Sequence, residues 1–416
     1  MANWLTLTRS EGIHEGALRQ RPKYSGSHHQ VLRQSGKNIS VEHTGGTNQI
    51  LGDTAVTGAG GRARHTRRRW PAVVAALAAL AAAGCGGSSS QPGAGNPLST
   101  PQTAPAVTNE NSGAGLQSGV TGGALFGGNV ALLPEESQVG RRLAIVRDYY
   151  RFGESFPNYM DSRIMASGST LVVSLDIPRG GTPYAVIASG QNDAYFSTFL
   201  HAVNQAAIRY HLPAIYFSFE HESGAPGKHA GLGSPAQFVQ AWDHIHALAA
   251  SEHLNWNDGG RIHWVWIQTH TLFTPLDERP RSQMNVGTPT AFWPGRNEVD
   301  IVGVDGYNHT GCSRHAIGST PESLFGPALR FAHQNGGLPL FITEWGSTAF
   351  PSSQWQTGFI HQMQAFVTAN REIAAALYWN SPGQGLHCDF SVNAHPGSVS
   401  ALATMAHSAA LQGRSG

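Results

Sequence analysis

The chain has 416 residues, 40% of them hydrophobic and only 13% charged, with a formal net charge of +1. That length admits two or three average domains, or one large α/β barrel with extensions. A near-zero net charge gives no global field to draw in a polyanion, so nucleic acid is not an expected partner.

In chain order, residues 1–61 are polar, unpatterned and rich in Gly, His and Arg. They read as disordered or as lying upstream of the true start. No Met falls between Met1 and Met160, and a non-AUG start, for example at Val56, would give an export signal of ordinary length. Residues 62–85 carry that signal. Arg62, Arg64, Arg67, Arg68 and Arg69 form a basic run, and Trp70–Ala83 is an apolar run too short to cross ~30 Å of hydrocarbon. A nucleic-acid patch is the weaker reading of those arginines, because they abut an apolar stretch. Ala82-Ala83-Gly84-Cys85 resembles a lipobox, which makes Cys85 a lipidation site and the membrane a partner. The alternatives are an ordinary cleavage region with an incidental Cys, and a loosely matched twin-arginine signal at Thr66–Trp70. The expected location is the cell envelope, as a lipoprotein, or the exterior. Residues 86–123 are mostly Gly, Ser, Pro, Thr and Asn and read as a flexible tether.

Residues 124–412 are the folded part. Short apolar runs are predicted as strands at Ala124–Val130, Arg142–Asp148, Leu171–Asp176, Ala214–Phe219, Ile262–Ile267, Val299–Val304, Leu338–Thr343 and Ala375–Trp379. Several are continuous apolar runs, as strands buried on both faces require. Helices are predicted at Ala194–His211, Pro235–His253, Pro321–Asn335, Gln354–Thr368 and near Val399–Ala410. Eight strands alternating with helices fit a (β/α)₈ TIM barrel, a single catalytic domain. A doubly wound open sheet is the alternative, although no Gly-rich phosphate loop joins a strand to a helix.

A barrel of this kind works at the C-terminal ends of its strands. The fourth strand runs into Phe219-Glu220-His221-Glu222, and the seventh into Thr343-Glu344-Trp345-Gly346. Two carboxylates, far apart in sequence, thus meet on one face. Hydrolysis of a glycosidic bond needs such a pair, one protonated to assist the leaving oxygen and one ionised. A lone Glu after a strand is more often a surface ion pair or helix-start neighbour; two after apolar strands, each with aromatic neighbours, favour catalysis. Glu220 is a rival to Glu222, since period-two alternation points both side chains the same way.

The segment Ile187–Glu222 resembles glycoside hydrolase family 26, best known for β-mannanases, through Gly190, Asp193, His221 and Glu222. Phe238–Ile245, His263–Trp266, Val299–Asn308 and Pro339–Ser347 are similar to later family segments, in the same order. The resemblance implies a retaining barrel hydrolase with Glu222 as acid/base and Glu344 as nucleophile. It further implies that Tyr307 orients the nucleophile, that His221 precedes the acid/base, and that Trp379 forms an aromatic floor for a sugar ring. Asp305, Asn308, Trp266 and Trp345 stand at strand ends and line either the cleft or the core. Asp305 and Trp266 are grouped with His221, Tyr307 and Trp379 as expected substrate contacts.

The chain departs from the family after Glu222, where Ser223-Gly224-Ala225-Pro226-Gly227 replaces a Met-Asn-Gly stretch, and this bears on the substrate. The insertion Leu272–Asn297 is expected to shape the cleft. With Cys85 lipidated, Cys312 and Cys388 remain as an even pair, expected to be bridged after export and to tie the loops after strands six and eight. Two separate buried thiols are the alternative. His221-Glu222 does not open a zinc motif, because Ala225 stands where the second His belongs. His309 and His315 flank Cys312 in what reads as a solvated loop. No metal or other cofactor is expected, and a monomer is. The expected function is retaining hydrolysis of a β-linked polysaccharide, β-mannan first. The alternatives are an inactive carbohydrate-binding barrel of the envelope and a metal-dependent barrel hydrolase, for which no ligand set can be assembled.

Overall fold

The computed structural model describes residues 118–228, 230–279, 287–312, 318–382 and 388–415. The signal segment, Cys85, His315 and nearly all of the tether lie outside the described residues. Eight strands form the barrel: β1 (Val120–Asn129), β2 (Ile145–Arg151), β3 (Thr170–Asp176), β4 (Ile215–Phe219), β5 (Ile262–Thr269), β6 (Ile301–Asn308), β7 (Leu340–Ser347) and β8 (Ile373–Tyr378). Each pairs in parallel with the next, and β1 pairs with both β2 and β8, so the sheet is closed. A closed ring rules out the doubly wound alternative. The fold is a (β/α)₈ TIM barrel, and all eight predicted strands are present.

Period-two alternation sorts side chains into two layers. Leu125, Ile145, Val172, Tyr216, Val265, Ile267, Ile301, Phe341, Ala375 and Leu377 fill the barrel interior. Val146, Tyr150, Val173, Phe217, Trp264, Trp266, Ile342 and Trp345 face outward into the apolar layer under the helices. The helices follow from local chemistry. Ser234 and Thr320 cap the helices Pro235–Ser251 and Pro321–Gln334, each with Pro in its first turn and a reciprocal bond to the third helical residue. Phe238, Ala241, Trp242, Ile245 and Ala249 make one buried stripe at helical spacing.

Three of the elements that were not expected from the sequence show why. The helix Tyr159–Ala166 carries Asp161, Ser162 and Arg163 within eight residues, which dilutes its apolar face. The five-residue helix Tyr184–Ala188 is too short to show a period. Strand β9 (Gln412–Ser415) has a polar sequence and pairs antiparallel with the start of β1. At the bottom of the barrel Tyr216 stacks on His263, and its hydroxyl donates to the carbonyl of Ser118 at 2.9 Å. The entering chain thereby plugs the end opposite the strand C-termini. In the insertion after β5, Arg279 donates to the carbonyls of Leu272, Thr274 and Gly287. A single guanidinium thus gathers that loop.

Barrel closure depends on close approach between β1 and β2. A Cβ on Gly127 would lie 2.2 Å from the Ile145 carbonyl oxygen, with backbone as the obstacle. Gly127→Ala is expected to destabilise the fold by about 1–3 kcal/mol or more through overpacking. Thermal unfolding checks this; an unchanged Tm would show that the seam has slack.

Candidate active site

The centre is assembled on β2 by alternation. Ile145 points into the barrel, so Arg147 and Tyr149 do too, each one step nearer the mouth. Arg147 is 1% exposed. Its Nη1 reaches Asp305 Oδ1 and Oδ2 at 2.9 and 3.0 Å and Glu344 Oε1 at 3.0 Å, and its Nε donates to Ser174 Oγ at 3.1 Å. Burial opposes its charge, but Asp305, Tyr149 and Glu344 outweigh that and hold its pKa above the ordinary value. Arg147 is therefore a fixed cation beneath the mouth.

Glu344 sits above it. Simple alternation along β7 from the inward Phe341 would turn Glu344 outward and Trp345 inward. The pairing with both neighbours shifts between Ile342 and Trp345. Thr343 faces inward as alternation requires, donating to Asp305 Oδ1 at 2.6 Å. Glu344 then faces the mouth, and Trp345 packs outward against Tyr378 and Phe359. This is the familiar use of a strand irregularity, re-aiming one side chain beside a site. Three donors converge on Glu344: Arg147, the Tyr149 hydroxyl on Oε1 and the Tyr307 hydroxyl on Oε2. Burial and the charge of Glu344 raise the Tyr307 phenol well above its ordinary pKa; burial likewise raises Tyr149, so both remain donors.

Glu222 lies across the mouth. The chain leaves β4 at Phe219 and turns through left-handed backbone at Glu220 and Glu222, with φ of 52° and 55°. Such conformations cost a non-glycine residue on the order of 1 kcal/mol or more and concentrate at functional sites. The Glu222 amide donates to the Ile267 carbonyl at 2.8 Å. Gln268 secures the following loop, accepting from the Gly224 amide and donating to Ser223 Oγ. Burial first, and then the charge of Glu344, push the Glu222 carboxyl up to about 7, with Arg147 and Lys228 opposing. The two carboxyl groups are thus close enough to feel each other's charge.

Left-handed backbone at Glu220 also breaks the alternation expected there. Glu220 does not point the same way as Glu222. It is fully buried and accepts hydrogen bonds from the Ile177 amide and, at 2.8 Å, the Tyr184 hydroxyl. It braces β4 against the loop after β3. His221 sits beside Glu222 with Nδ1 2.9 Å from Asp176 Oδ1, its ring edge-on to Tyr149. Trp379, partly exposed just past β8, meets the other side of Tyr149 at 5.7 Å and 87°. Arg147, Tyr149, Glu222, Glu344, Tyr307, His221 and Trp379 therefore share one mouth.

Asp305 and Trp266, expected as substrate contacts, lie off the mouth, and Trp345 and Asn308, left between cleft and core, belong to the core. Asp305 is 1% exposed and engaged with Arg147 and Thr343, beneath the site instead of against substrate. Trp266 points outward between Phe273, Trp293 and Phe331, because Val265 and Ile267 occupy the inward positions of β5. Trp345 is outward because of the register shift in β7. Asn308 is buried, donating to Ser347 Oγ and accepting from Thr310 Oγ1. Cys312 and Cys388 form a disulfide with Cα atoms 4.8 Å apart. It joins the loops after β6 and β8 near Phe390, whose ring packs against Tyr307 and His309. Among the described residues no group of three potential metal ligands comes together.

Arg147 and Tyr149 are not among the residues that the sequence singles out, although an Arg and a Tyr two apart within an apolar strand are a legible signal. Asp176, Lys228 and Gln268 give none, being single polar residues at strand ends or in a loop.

No protein-family model matches the chain, and no curated protein does. Solved structures of similar architecture include a family 26 β-mannanase from Bacteroides ovatus, 14% identical, covering 70% of this chain and 90% of that one, with a TM-score of 0.49. Another is an endo-β-1,4-mannanase double mutant from Cellulomonas fimi, 16% identical, covering 72% and 76%, with a TM-score of 0.47. A fungal β-1,4-galactanase is 13% identical over 69% of this chain and all of its own, with a TM-score of 0.48.

Removing the buried cation leaves Asp305 and Glu344 facing each other uncompensated. Arg147→Met is expected to cost about 3–5 kcal/mol of stability. Adding Asp305→Leu should recover part of it, since one uncompensated charge is removed. Chemical denaturation of both variants checks this; a double variant no more stable than the single one contradicts the pairing.

Proposed function

We propose that the chain is a retaining glycoside hydrolase that cleaves a β-linked polysaccharide by double displacement, with β-mannan as the first candidate substrate. The observation that carries this reading is the contrast between two carboxyl groups at one mouth. Glu344 is clamped by a guanidinium and two phenols, the setting of a fixed anion with one lone-pair direction free to attack. Glu222 makes no such contacts among the described residues, and burial and the charge of Glu344 push its carboxyl up to about 7. A pair of acids pushed apart by environment is how one site supplies both an acid and a nucleophile.

In the first step Glu344 attacks the anomeric carbon while Glu222 gives its proton to the departing glycosidic oxygen. In the second, Glu222 takes a proton from water, which attacks the same carbon and releases Glu344. Tyr149 and Tyr307, one on each oxygen, hold the attacking carboxylate in one orientation, and Arg147 balances the charge that moves onto and off it. Trp379 offers an indole for the apolar face of a sugar ring. The sequence resemblance to family 26 favours mannan; the altered loop after Glu222 leaves room for another β-glycan. We further propose that the protein is exported and held at the cell envelope by lipid on Cys85. Among the described residues no helix is long and apolar enough to cross a membrane.

Reducing-sugar release from a panel of β-glycans by the exported form tests the reading. One glycan should be cleaved, and Glu344→Ala should lower that rate on the order of 10³-fold or more. Binding without cleavage by the parent protein would replace the reading with a carbohydrate-binding barrel.

The pH dependence is a second check. Glu222 must carry its proton to act, so kcat/KM should hold up to about pH 7 and then fall roughly tenfold per unit. In Glu222→Ala that limb should vanish, with glycan cleavage down about 10²- to 10⁴-fold. Aryl glycosides with strongly acidic phenols should suffer far less, because their leaving oxygen needs no proton. A basic limb that persists in Glu222→Ala would assign the acid elsewhere.

A further inference from the structure

His221 sits next to Glu222 in a setting that leaves one of its nitrogens committed and the other open. Its Nδ1 and Asp176 Oδ1 are buried and lie 2.9 Å apart, outside ideal hydrogen-bond geometry, and neither has a hydrogen-bond partner elsewhere among the described residues. Buried polar atoms are nearly always paired, and among the described residues each is the other's nearest candidate. Asp176 is in turn held by Lys228, whose Nζ donates to Oδ2 at 2.7 Å. Asp176 ends β3, and Lys228 belongs to the loop after Glu222 where the chain departs from the family pattern. Burial raises the Asp176 carboxyl, but His221 and Lys228 outweigh it and leave its pKa below the usual value. Asp176 is therefore an anion, which can only accept.

We propose that Asp176, fixed by Lys228, is a positioning residue that holds His221 in its Nδ1–H tautomer and so presents Nε2 as an acceptor to a sugar hydroxyl beside the scissile bond. The rest of the ring's surroundings agree with this. Tyr149 packs edge-on at 5.5 Å, and the charge of Arg147 lies close enough to disfavour an imidazolium. Burial, foremost, lowers the His221 pKa, so the ring is neutral at neutral pH and its tautomer is what matters. Nε2 makes no hydrogen bond to any described residue. A neutral ring with Nδ1 donating has only an acceptor left, which selects a hydroxyl that donates and disfavours a deoxy sugar or a methyl ether at that position.

This inference rests on the hydrolase reading only for the identity of the ligand; the tautomer itself is measurable without substrate. Long-range ¹⁵N–¹H correlation spectra of ¹⁵N-histidine protein at pH 8, with His221→Gln for assignment, give it directly. The expected result is an Nδ1–H tautomer in the parent and in Lys228→Arg, and a mixed population in Asp176→Asn and Lys228→Met. On the glycan that the panel identifies, Asp176→Asn and Lys228→Met should lower kcat/KM about tenfold, with Lys228→Arg near the parent rate. An Nε2–H tautomer in the parent, or a population indifferent to Asp176→Asn, would overturn the proposal. A panel with no active glycan would count against the hydrolase reading, while the spectra would still decide the tautomer.

Discussion

A guanidinium with almost no access to water is costly unless anions surround it, and that cost organises the centre of this barrel. Arg147 reaches from β2 to Ser174 on β3, Asp305 on β6 and Glu344 on β7, so one side chain spans the interior from strand to strand. Because it needs both carboxylates, Asp305 cannot serve as a substrate contact and becomes its counter-charge. Because Asp305 also takes the Thr343 hydroxyl, β7 is held in the irregular register that turns Glu344 inward. The direction of the Glu344 carboxylate is thus set two interactions below the mouth. Tyr149 and Tyr307 complete it by taking one oxygen each.

The opposite wall follows different physics. Glu222 is supported through its backbone, by Ile267 and by the Gln268 grip on Ser223 and Gly224, while its carboxyl is left to burial and to the field of Glu344. An acid needs that freedom, since it must meet first a leaving oxygen and then a water. An attacking anion needs the reverse, a single orientation. The site therefore divides into a half on β2, β6 and β7 that grips the Glu344 carboxylate directly and a half after β4 that places Glu222 through its backbone.

Much of this is legible in the sequence, and the reasons are physical. Eight apolar β-rich runs separated by helical stripes can close only a few ways, and the barrel is among them. Glu222 and Glu344 are recognisable because two carboxylates at the C-terminal ends of apolar strands, each with aromatic neighbours, meet on one face of a barrel. The differences between expectation and structure share one cause, which is that direction within a strand is not encoded by residue type. Trp266 and Trp345 look like cleft aromatics until the inward positions of β5 and β7 are known. Glu220 matches Glu222 under simple alternation, and only the left-handed turn separates them. Arg147, with Tyr149 two residues on, signals an inward polar pair in β2, but its role is visible only once its counter-charges, more than 150 residues away, are placed beside it.

The central claim is that Glu344 attacks carbon instead of activating water. Following the anomeric protons by ¹H NMR during the first minutes of cleavage of the glycan that the panel identifies tests this most directly. Double displacement predicts that the β-anomer of the new reducing end appears first and then mutarotates toward equilibrium. The α-anomer appearing first would mean a single displacement by water, with Glu344 as its base, and would contradict a nucleophilic Glu344.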